Sequence, residues 1–119
     1  MLLNRVVLYV RDVSQTARFY ERHFGFKAKS EEGDRIVEMV NPLGGTILML
    51  HPAGKAQKTA QSIVKLVFDV EDVETFVGAC AQNGLHFGSL HQADGYVFAN
   101  AKDPSGNAIS VSRRAYRKP

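Results

Sequence analysis

The chain has 119 residues, 45% of them hydrophobic, and a formal net charge of +3. This length and composition predict one globular domain that buries a core without disulfides or a structural metal. Arg113, Arg114, Arg117 and Lys118 are basic residues close to the C-terminus, so the rest of the chain is nearly neutral and the tail is predicted to be solvated. No basic stripe with interleaved aromatics is present, and we expect no nucleic acid partner.

The sequence also indicates the compartment. No charged leader precedes a long apolar run at the N-terminus, and no apolar run reaches membrane-spanning length. Cys80 is the single cysteine, and its place near Val73, Phe76 and Val77 favours a packed core thiol over a nucleophile. We therefore expect a soluble, cytoplasmic protein with no membrane partner.

The first half predicts a strand, a helix and three strands. Ser14 is predicted to cap the helix, and Gly25 suits the left-handed residue that ends it. Between these residues, apolar side chains recur at helical spacing. The strands of this half are predicted from β-branched and aromatic content at residues 5–10, 26–29, 36–40 and 46–51.

The second half repeats this order. Residues 53–61 contain few large apolar side chains and are predicted to connect the halves rather than to divide independent domains. Asp72 is predicted to cap the second helix, which ends at Asn83 and Gly84. The strands of this half are predicted at residues 63–70, 86–88, 96–101 and 108–111.

Both halves contain the same helix-opening motif and the same closing turn, at matching places. Val10-Arg11-Asp12-Val13 and Val70-Glu71-Asp72-Val73 each open a helix, and each half closes with a glycine-containing turn followed by an apolar strand. This pattern predicts a duplicated unit within a single domain. The predicted organisation is module one at about residues 1–52, a linker at about 53–61, module two at about 62–112 and a basic tail at 113–119.

This order resembles the vicinal oxygen chelate superfamily, which includes glyoxalases, bleomycin-resistance proteins and extradiol dioxygenases. The resemblance is carried by Val10-Arg11-Asp12, Phe19-Tyr20 and Gly25-Phe26, and by Asp103-Pro104-Ser105-Gly106-Asn107, which is similar to the family's DPDGN turn. It implies an α+β fold in which two tandem βαβββ modules form a curled mixed sheet around a cavity. It also implies a homodimer.

The resemblance further implies where a metal would bind. Metal-dependent members place His or Glu on four cavity-facing strands, and the matching positions here are Arg5, Met49, Lys65 and Ser110. A guanidinium or ammonium group offers no lone pair at neutral pH, and a thioether or a lone hydroxyl holds a divalent cation poorly. We therefore predict no metal and no other cofactor. If the preceding turn were one residue longer, Leu48 would replace Met49, with the same conclusion.

Strand alternation extends the predicted cavity, because residues two apart on a strand share a face. Tyr9 thus accompanies Arg5 and His51 accompanies Met49, and the strand before the last adds Phe98 and Asn100. No catalytic residue is assigned, because no nucleophile with a base and a carboxylate is recognisable. The predicted ligand-binding residues are Arg5, Tyr9, Met49, His51, Lys65, Phe98, Asn100 and Ser110.

Three functions fit this pattern. We favour metal-independent binding of a small anionic or oxygen-rich molecule, with Arg5 and Lys65 meeting in one cavity around its anionic end. The cations argue against cationic bleomycin as that ligand. The second function is a glyoxalase-like lyase or isomerase, or a dioxygenase, with a non-standard site that uses His51 or Lys65. The third is a structural or regulatory dimer module. The cations could instead form salt bridges across the sheet, to Asp34, Glu38 or Asp69.

Overall fold

The computed structural model describes residues 1–118, so Pro119 at the end of the predicted tail lies outside the described residues. Two compact units are present: Met1–Gln61 with Pro104–Gly106, and Ser62–Asp103 with the residues from Asn107 onward. Each unit has one α-helix and one four-stranded mixed sheet. The predicted α+β class with two tandem βαβββ modules is confirmed. Within residues 1–118, no helix has the length and apolar character that crossing a membrane requires.

The first unit contains β1 (Arg5–Val10), α1 (Val13–Phe24), β2 (Lys27–Lys29), β3 (Val37–Val40) and β4 (Ile47–Pro52). Its strand order is β1-β4-β3-β2. Strands β1 and β4 are parallel, whereas β3 is antiparallel to both of its neighbours. The predicted strands of this half are therefore confirmed to within about a residue at each end.

The two sides of this sheet differ in burial because side chains alternate along each strand. Leu8, Val10 and Leu50 are buried, on the side where α1 packs over β3 and β4. Their neighbours Val7 and Tyr9 are 42% and 44% exposed. One side of the sheet thus belongs to the core, and the other is accessible.

The N-cap of α1 is Asp12, so the predicted cap at Ser14 is wrong. The Asp12 carboxylate accepts the backbone N–H of Gln15 at 2.9 Å, and the Asp12 backbone is extended, as a capping residue requires. Ser14 already lies inside the helix. At the other end, Gly25 adopts the predicted left-handed conformation, with φ of 73°.

Asp12→Ala is expected to lower the free energy of unfolding by about 1 kcal/mol, because the Gln15 N–H loses its acceptor. Ser14→Ala is the matched control, and it should change the unfolding free energy by less than about 0.5 kcal/mol. Urea unfolding followed by circular dichroism measures both. An equal loss in the two variants would show that Ser14 shares the capping role.

The motif Val10-Arg11-Asp12 has a structural function at each position. Val10 is fully buried and Asp12 caps α1. The Arg11 guanidinium donates hydrogen bonds to the backbone carbonyls of Gly54, at 2.9 Å, and of Gln57. Arg11 therefore fastens the segment that follows β4 to the start of α1.

The second unit contains β5 (Lys65–Asp69), α2 (Val73–Gln82), β6 (His91–Ala93), β7 (Tyr96–Lys102) and β8 (Ala108–Ser112), followed by a 3₁₀ helix at Arg114–Tyr116. Its strand order, β5-β8-β7-β6, repeats that of the first unit. Asp72 caps α2 by accepting the Thr75 N–H at 3.1 Å, as predicted.

The strand predicted at residues 86–88 is wrong, because the strand at this place in the order is β6. Strands β6 and β7 form a hairpin in which Ala93 pairs with Tyr96, and Asp94-Gly95 is the two-residue connection. Gly95 has φ of 79°, which such tight hairpin turns require. Residues 86–88 make one bond to the sheet, from the Gly88 N–H to the Asn100 carbonyl at 2.9 Å.

Cys80 lies on the buried side of α2. Its thiol is free and buried, and burial raises its pKa. A raised pKa keeps the thiol protonated and unreactive at neutral pH. The sequence prediction of a packed core thiol is confirmed.

His23 in the last turn of α1 has a buried Nδ1 for which the described residues provide no hydrogen-bond partner. Burial lowers the pKa of His23, and the neighbouring positive charge of Arg22 lowers it further. The folded protein therefore favours the neutral imidazole more strongly than the unfolded chain does.

We expect His23 to make the protein less stable as the pH falls. The unfolded chain binds the proton more readily, so the His23 contribution is complete above about pH 6.5 and is lost below it. His23→Gln should reduce the decrease in unfolding free energy between neutral and mildly acidic pH, as measured by urea unfolding. The same decrease in both proteins would contradict this.

Candidate functional site

Each sheet has one side turned away from the helix of its own unit, which we call face 1 in the first unit and face 2 in the second. The strand registers show which side chains share a face. Face 1 carries Arg5, Val7, Tyr9, Glu38, Met49 and His51. Face 2 carries Lys65, Val67, Asp69, Phe98, Asn100, Ser110 and Ser112. The eight predicted ligand-binding residues therefore divide equally between the two faces.

The register of β4 distinguishes Met49 from Leu48. Met49 pairs with Val7, and His51 pairs with Tyr9, so both are on face 1. Leu48 is buried on the helix side. Met49, and not Leu48, is therefore the residue of β4 that lies on face 1 at this position.

Arg5 on face 1 lies near a carboxylate. Its Nε is 3.7 Å from Oε2 of Glu38, and the two side chains are 51% and 31% exposed. A salt bridge this exposed contributes only about 0 to 1 kcal/mol to stability. Pairing across the sheet is therefore present for Arg5, but it is weak and leaves much of the guanidinium accessible.

Tyr9 and His51 form an aromatic pair on face 1, with ring centroids 5.1 Å apart. Nδ1 of His51 is 2.8 Å from the Pro52 carbonyl oxygen. A carbonyl can only accept, so Nδ1 carries a proton, and Nε2 has the free lone pair when the ring is neutral. This part of face 1 thus offers one acceptor nitrogen beside an apolar surface that includes Met49.

Lys65 on face 2 has a different environment. Its Nζ donates to Oδ1 of Asn100 at 3.0 Å and lies 5.5 Å from the centroid of the Phe98 ring. Across residues 1–118, Lys65 forms no salt bridge. An amide and an aromatic ring therefore hold this cation in place without neutralising it.

Ser110 is the least accessible of the predicted residues on face 2. It is 2% exposed, and its hydroxyl donates to the Ala99 carbonyl at 3.0 Å. Its hydrogen is therefore already used, and only its lone pairs could meet a ligand. The main contact of Ser110 is thus this hydrogen bond, which links β8 to β7.

Three residues on face 2 or next to it were not identified from the sequence. They are His91, Tyr96 and Arg114. The His91 ring stacks on Phe98 with centroids 5.0 Å apart, and Tyr96 lies 6.1 Å from Phe98. Nη1 of Arg114 donates to the Tyr96 hydroxyl at 3.2 Å. The hairpin turn before Tyr96 is the sequence signal that could have placed His91 opposite Phe98.

The residues on these faces do not suit a divalent metal. Among residues 1–118, no three or more His, Cys, Asp or Glu side chains are grouped so that they could hold one. Arg5 and Lys65 are cations, and Met49 and Ser110 offer weak donors. That the protein binds no metal stays a prediction, which rests on these residue types.

An open groove of about 630 Å³ also runs along α1. None of the eight predicted residues lines it. Its lining includes Gln15, Arg18, Phe19, Glu21, Arg22 and Pro104.

Comparison with known families establishes the relationship of this chain. Residues 2–111 match the Glyoxalase/Bleomycin resistance protein/Dioxygenase superfamily. The chain therefore belongs to this superfamily, and the resemblance inferred from its motifs is confirmed. Among curated proteins, no relative matches the sequence.

Solved structures show the same fold. TnmS3, an antibiotic binding protein from Streptomyces sp. CB03234, has a TM-score of 0.78 at 17% identity over 93% of each chain. UcmS2 has a TM-score of 0.81 at 18% identity, over 95% of this chain and 98% of its own. Lactoylglutathione lyase from Agrobacterium tumefaciens has a TM-score of 0.72 at 17% identity, over 93% of this chain and 92% of its own. At these identities, the similarity shows the fold alone.

Proposed function

We propose that this protein binds a small anionic or oxygen-rich organic molecule and uses no metal to do so. The observation that carries the proposal is Lys65, an exposed cation held by Asn100 and Phe98 with no carboxylate partner in the described part of the chain. The similarity to TnmS3, an antibiotic binding protein, supports small-molecule binding as a use of this fold.

Face 2 can give an anion more than one hydrogen bond. The ammonium group of Lys65 has three donors, of which Asn100 accepts one. Because Oδ1 of Asn100 is the acceptor in that bond, its NH₂ group is left to donate to an oxygen of the ligand. Hydrogen bonds between ionised groups are about twice as strong as neutral ones, so an oxyanion is the preferred occupant.

Face 1, taken by itself, is a second candidate binding surface, and it is mainly apolar. Val7 and Tyr9 are partly exposed, and His51 packs against Tyr9. Met49, beside them on β4, is a flexible side chain that adapts to irregular shapes. Arg5 adds a donor at the edge of this apolar surface, because its pairing with Glu38 is weak.

The residue types at the four positions where the family binds a metal favour ligand binding over metal-dependent catalysis. A lyase of the metal-dependent type needs His or carboxylate ligands, and the four matching positions carry none. The similarity to lactoylglutathione lyase concerns the fold alone.

We expect purified, tag-free protein to contain well below one equivalent of zinc, nickel or iron by elemental analysis. Adding each ion should also leave the unfolding temperature unchanged, since a ligand stabilises only the state that binds it. Stoichiometric metal that is lost in Met49→Ala or Ser110→Ala would contradict the residue assignment.

Homodimer formation also stays a prediction. Val7 and Tyr9 are neighbours on face 1 and are 42% and 44% exposed, so they form an apolar surface that a second copy of the chain would cover. Sedimentation equilibrium is expected to give twice the mass of the chain. A monomer at every concentration would refute the dimer and leave the binding proposal intact.

A thermal-shift screen of organic acids, each with its neutral amide as a matched control, tests the binding proposal. We expect a set of acids to raise the unfolding temperature while their amides do not. In Lys65→Met the shift should disappear. Acids and amides that act alike would refute an anionic ligand.

A further inference from the structure

The C-terminal segment after β8 is held against β7. The Arg113 N–H donates to the Val97 carbonyl at 3.0 Å, and the Arg114 N–H donates to the Ser112 hydroxyl at 3.1 Å. The 3₁₀ helix Arg114–Tyr116 follows directly. The side chains of residues 114–118 are exposed, but the backbone of the segment does not form the freely solvated tail that the sequence predicts.

Two arginines of this segment converge on one aromatic ring. The guanidinium carbons of Arg114 and Arg117 lie 5.3 and 5.9 Å from the centroid of Tyr96, and Arg114 also donates to the Tyr96 hydroxyl. An aromatic face attracts a cation but carries no charge to neutralise it. In the part of the chain that the structure describes, neither arginine pairs with a carboxylate.

This arginine pair adjoins the Lys65 site. Tyr96 and Phe98 are alternate residues of β7, so they share face 2, and their centroids are 6.1 Å apart. Lys65 contacts Phe98. Two separate positive centres therefore lie along one strand, each held by an aromatic ring. Arg114 and Arg117, which contact the same ring, favour binding of an anion that reduces their mutual repulsion.

We propose that face 2 binds an organic dianion, with one anionic group at Lys65 and Asn100 and the other at Arg114 and Arg117. This inference rests on the proposed function and adds the C-terminal segment to its site. It also narrows the ligand to molecules with two separated anionic groups, such as a dicarboxylate or a phosphorylated carboxylic acid.

A chain-length series tests the proposal with the full-length protein. Linear dicarboxylates from succinate to suberate are titrated by calorimetry, each against the monocarboxylate of the same length. At one length, the dicarboxylate should bind roughly tenfold or more tightly than its partner, the gain expected from further charged hydrogen bonds. A parallel series of phosphonocarboxylates distinguishes a phosphate-bearing ligand from a dicarboxylate.

Arg114→Gln and Arg117→Gln should each remove most of the dicarboxylate advantage, so that each variant binds the dicarboxylate about as tightly as it binds the monocarboxylate of the same length. Arg113→Gln is the control with the same charge change in the same segment, and it should keep the advantage. Circular dichroism checks that each variant is folded. If one of the two arginine variants does not fold, the other still tests the proposal.

The outcomes separate this inference from the proposed function. If dicarboxylates and monocarboxylates bind equally, the second anion site is refuted and monoanion binding stands. If Arg113→Gln removes the advantage as fully as Arg114→Gln, general charge attraction explains it and the inference fails. If neither series binds at all, the dianion site is refuted, and the thermal-shift screen of acids against amides then decides the proposed function separately.

Discussion

Lys65→Met is expected to weaken binding of an organic monocarboxylate by about 1.5 to 3 kcal/mol, the scale of a hydrogen bond to a charged group. Lys65 is exposed and its ammonium group is already positioned by Asn100 and Phe98, so little ordering is needed when an anion arrives. The unfolding free energy should change by less than about 0.5 kcal/mol. Isothermal titration calorimetry and urea unfolding measure the two quantities.

Lys58→Met is the matched control, because Lys58 is exposed in the connecting segment and the substitution removes the same charge. Its effect on affinity should be small and should vanish at high salt, where exposed charges are screened. An equal loss of affinity in the two variants would show that net charge, rather than the Lys65 site, attracts the ligand.

Arg5→Met tests face 1 by itself, and it should weaken the binding of a carboxylate at face 1 by about 1.5 to 3 kcal/mol. Glu38 is the competing partner, and if it already neutralises Arg5, the substitution will leave affinity unchanged and lower stability by at most about 1 kcal/mol. Isothermal titration calorimetry with carboxylates, beside urea unfolding, distinguishes these two outcomes.

Leu50→Ala is expected to lower the free energy of unfolding by about 2 to 5 kcal/mol, because it removes a fully buried side chain and leaves a cavity. This is a large part of the 5 to 15 kcal/mol that is typical of a folded protein. Urea unfolding measures the loss.

Met49→Ala is the control for Leu50→Ala. Met49 is the adjacent residue but points to the accessible side of the sheet, so its replacement should cost less than half as much. It should instead weaken binding of ligands with an apolar part. A larger stability loss for Met49 than for Leu50 would contradict the assignment of face 1.

The sequence predicted the fold because local signals agreed with one another. Asp72 begins α2 where the apolar periodicity begins, and Gly25 ends α1 where it ends. Strand alternation separates a buried side from an accessible one. The helix-opening motif and the closing turn, each present in both halves, then predicted the two βαβββ modules. Asp12 and Ser14 are both good capping residues, however, so composition alone did not decide which of them is extended rather than helical.

The strand at residues 86–88 was misplaced for a related reason. A short segment with a histidine, a phenylalanine and a glycine reads as extended, but the Asp94-Gly95 turn fixes the strand at the residues directly before it. Turn chemistry therefore had more influence than strand propensity at this position.

Strand alternation was enough to predict on which side of each strand the candidate site residues lie. Arg5, Tyr9, Lys65 and Phe98 are on the predicted sides of their strands. The Lys65 bond to Asn100 depends on a pairing between strands far apart in sequence, which spacing does not reveal. The contact of Arg114 with Tyr96 follows from backbone hydrogen bonds of the C-terminal segment, for which the sequence carries no recognisable signal.

The central claim is that this protein binds an anionic small molecule through Lys65. Denaturing mass spectrometry of molecules extracted from purified protein, compared between the unmodified chain and Lys65→Met, tests it most directly. We predict an organic anion in near-stoichiometric amount from the unmodified protein and a strong depletion of the same anion from the variant. Equal amounts from both proteins, or a bound molecule that is neutral or cationic, would contradict the claim.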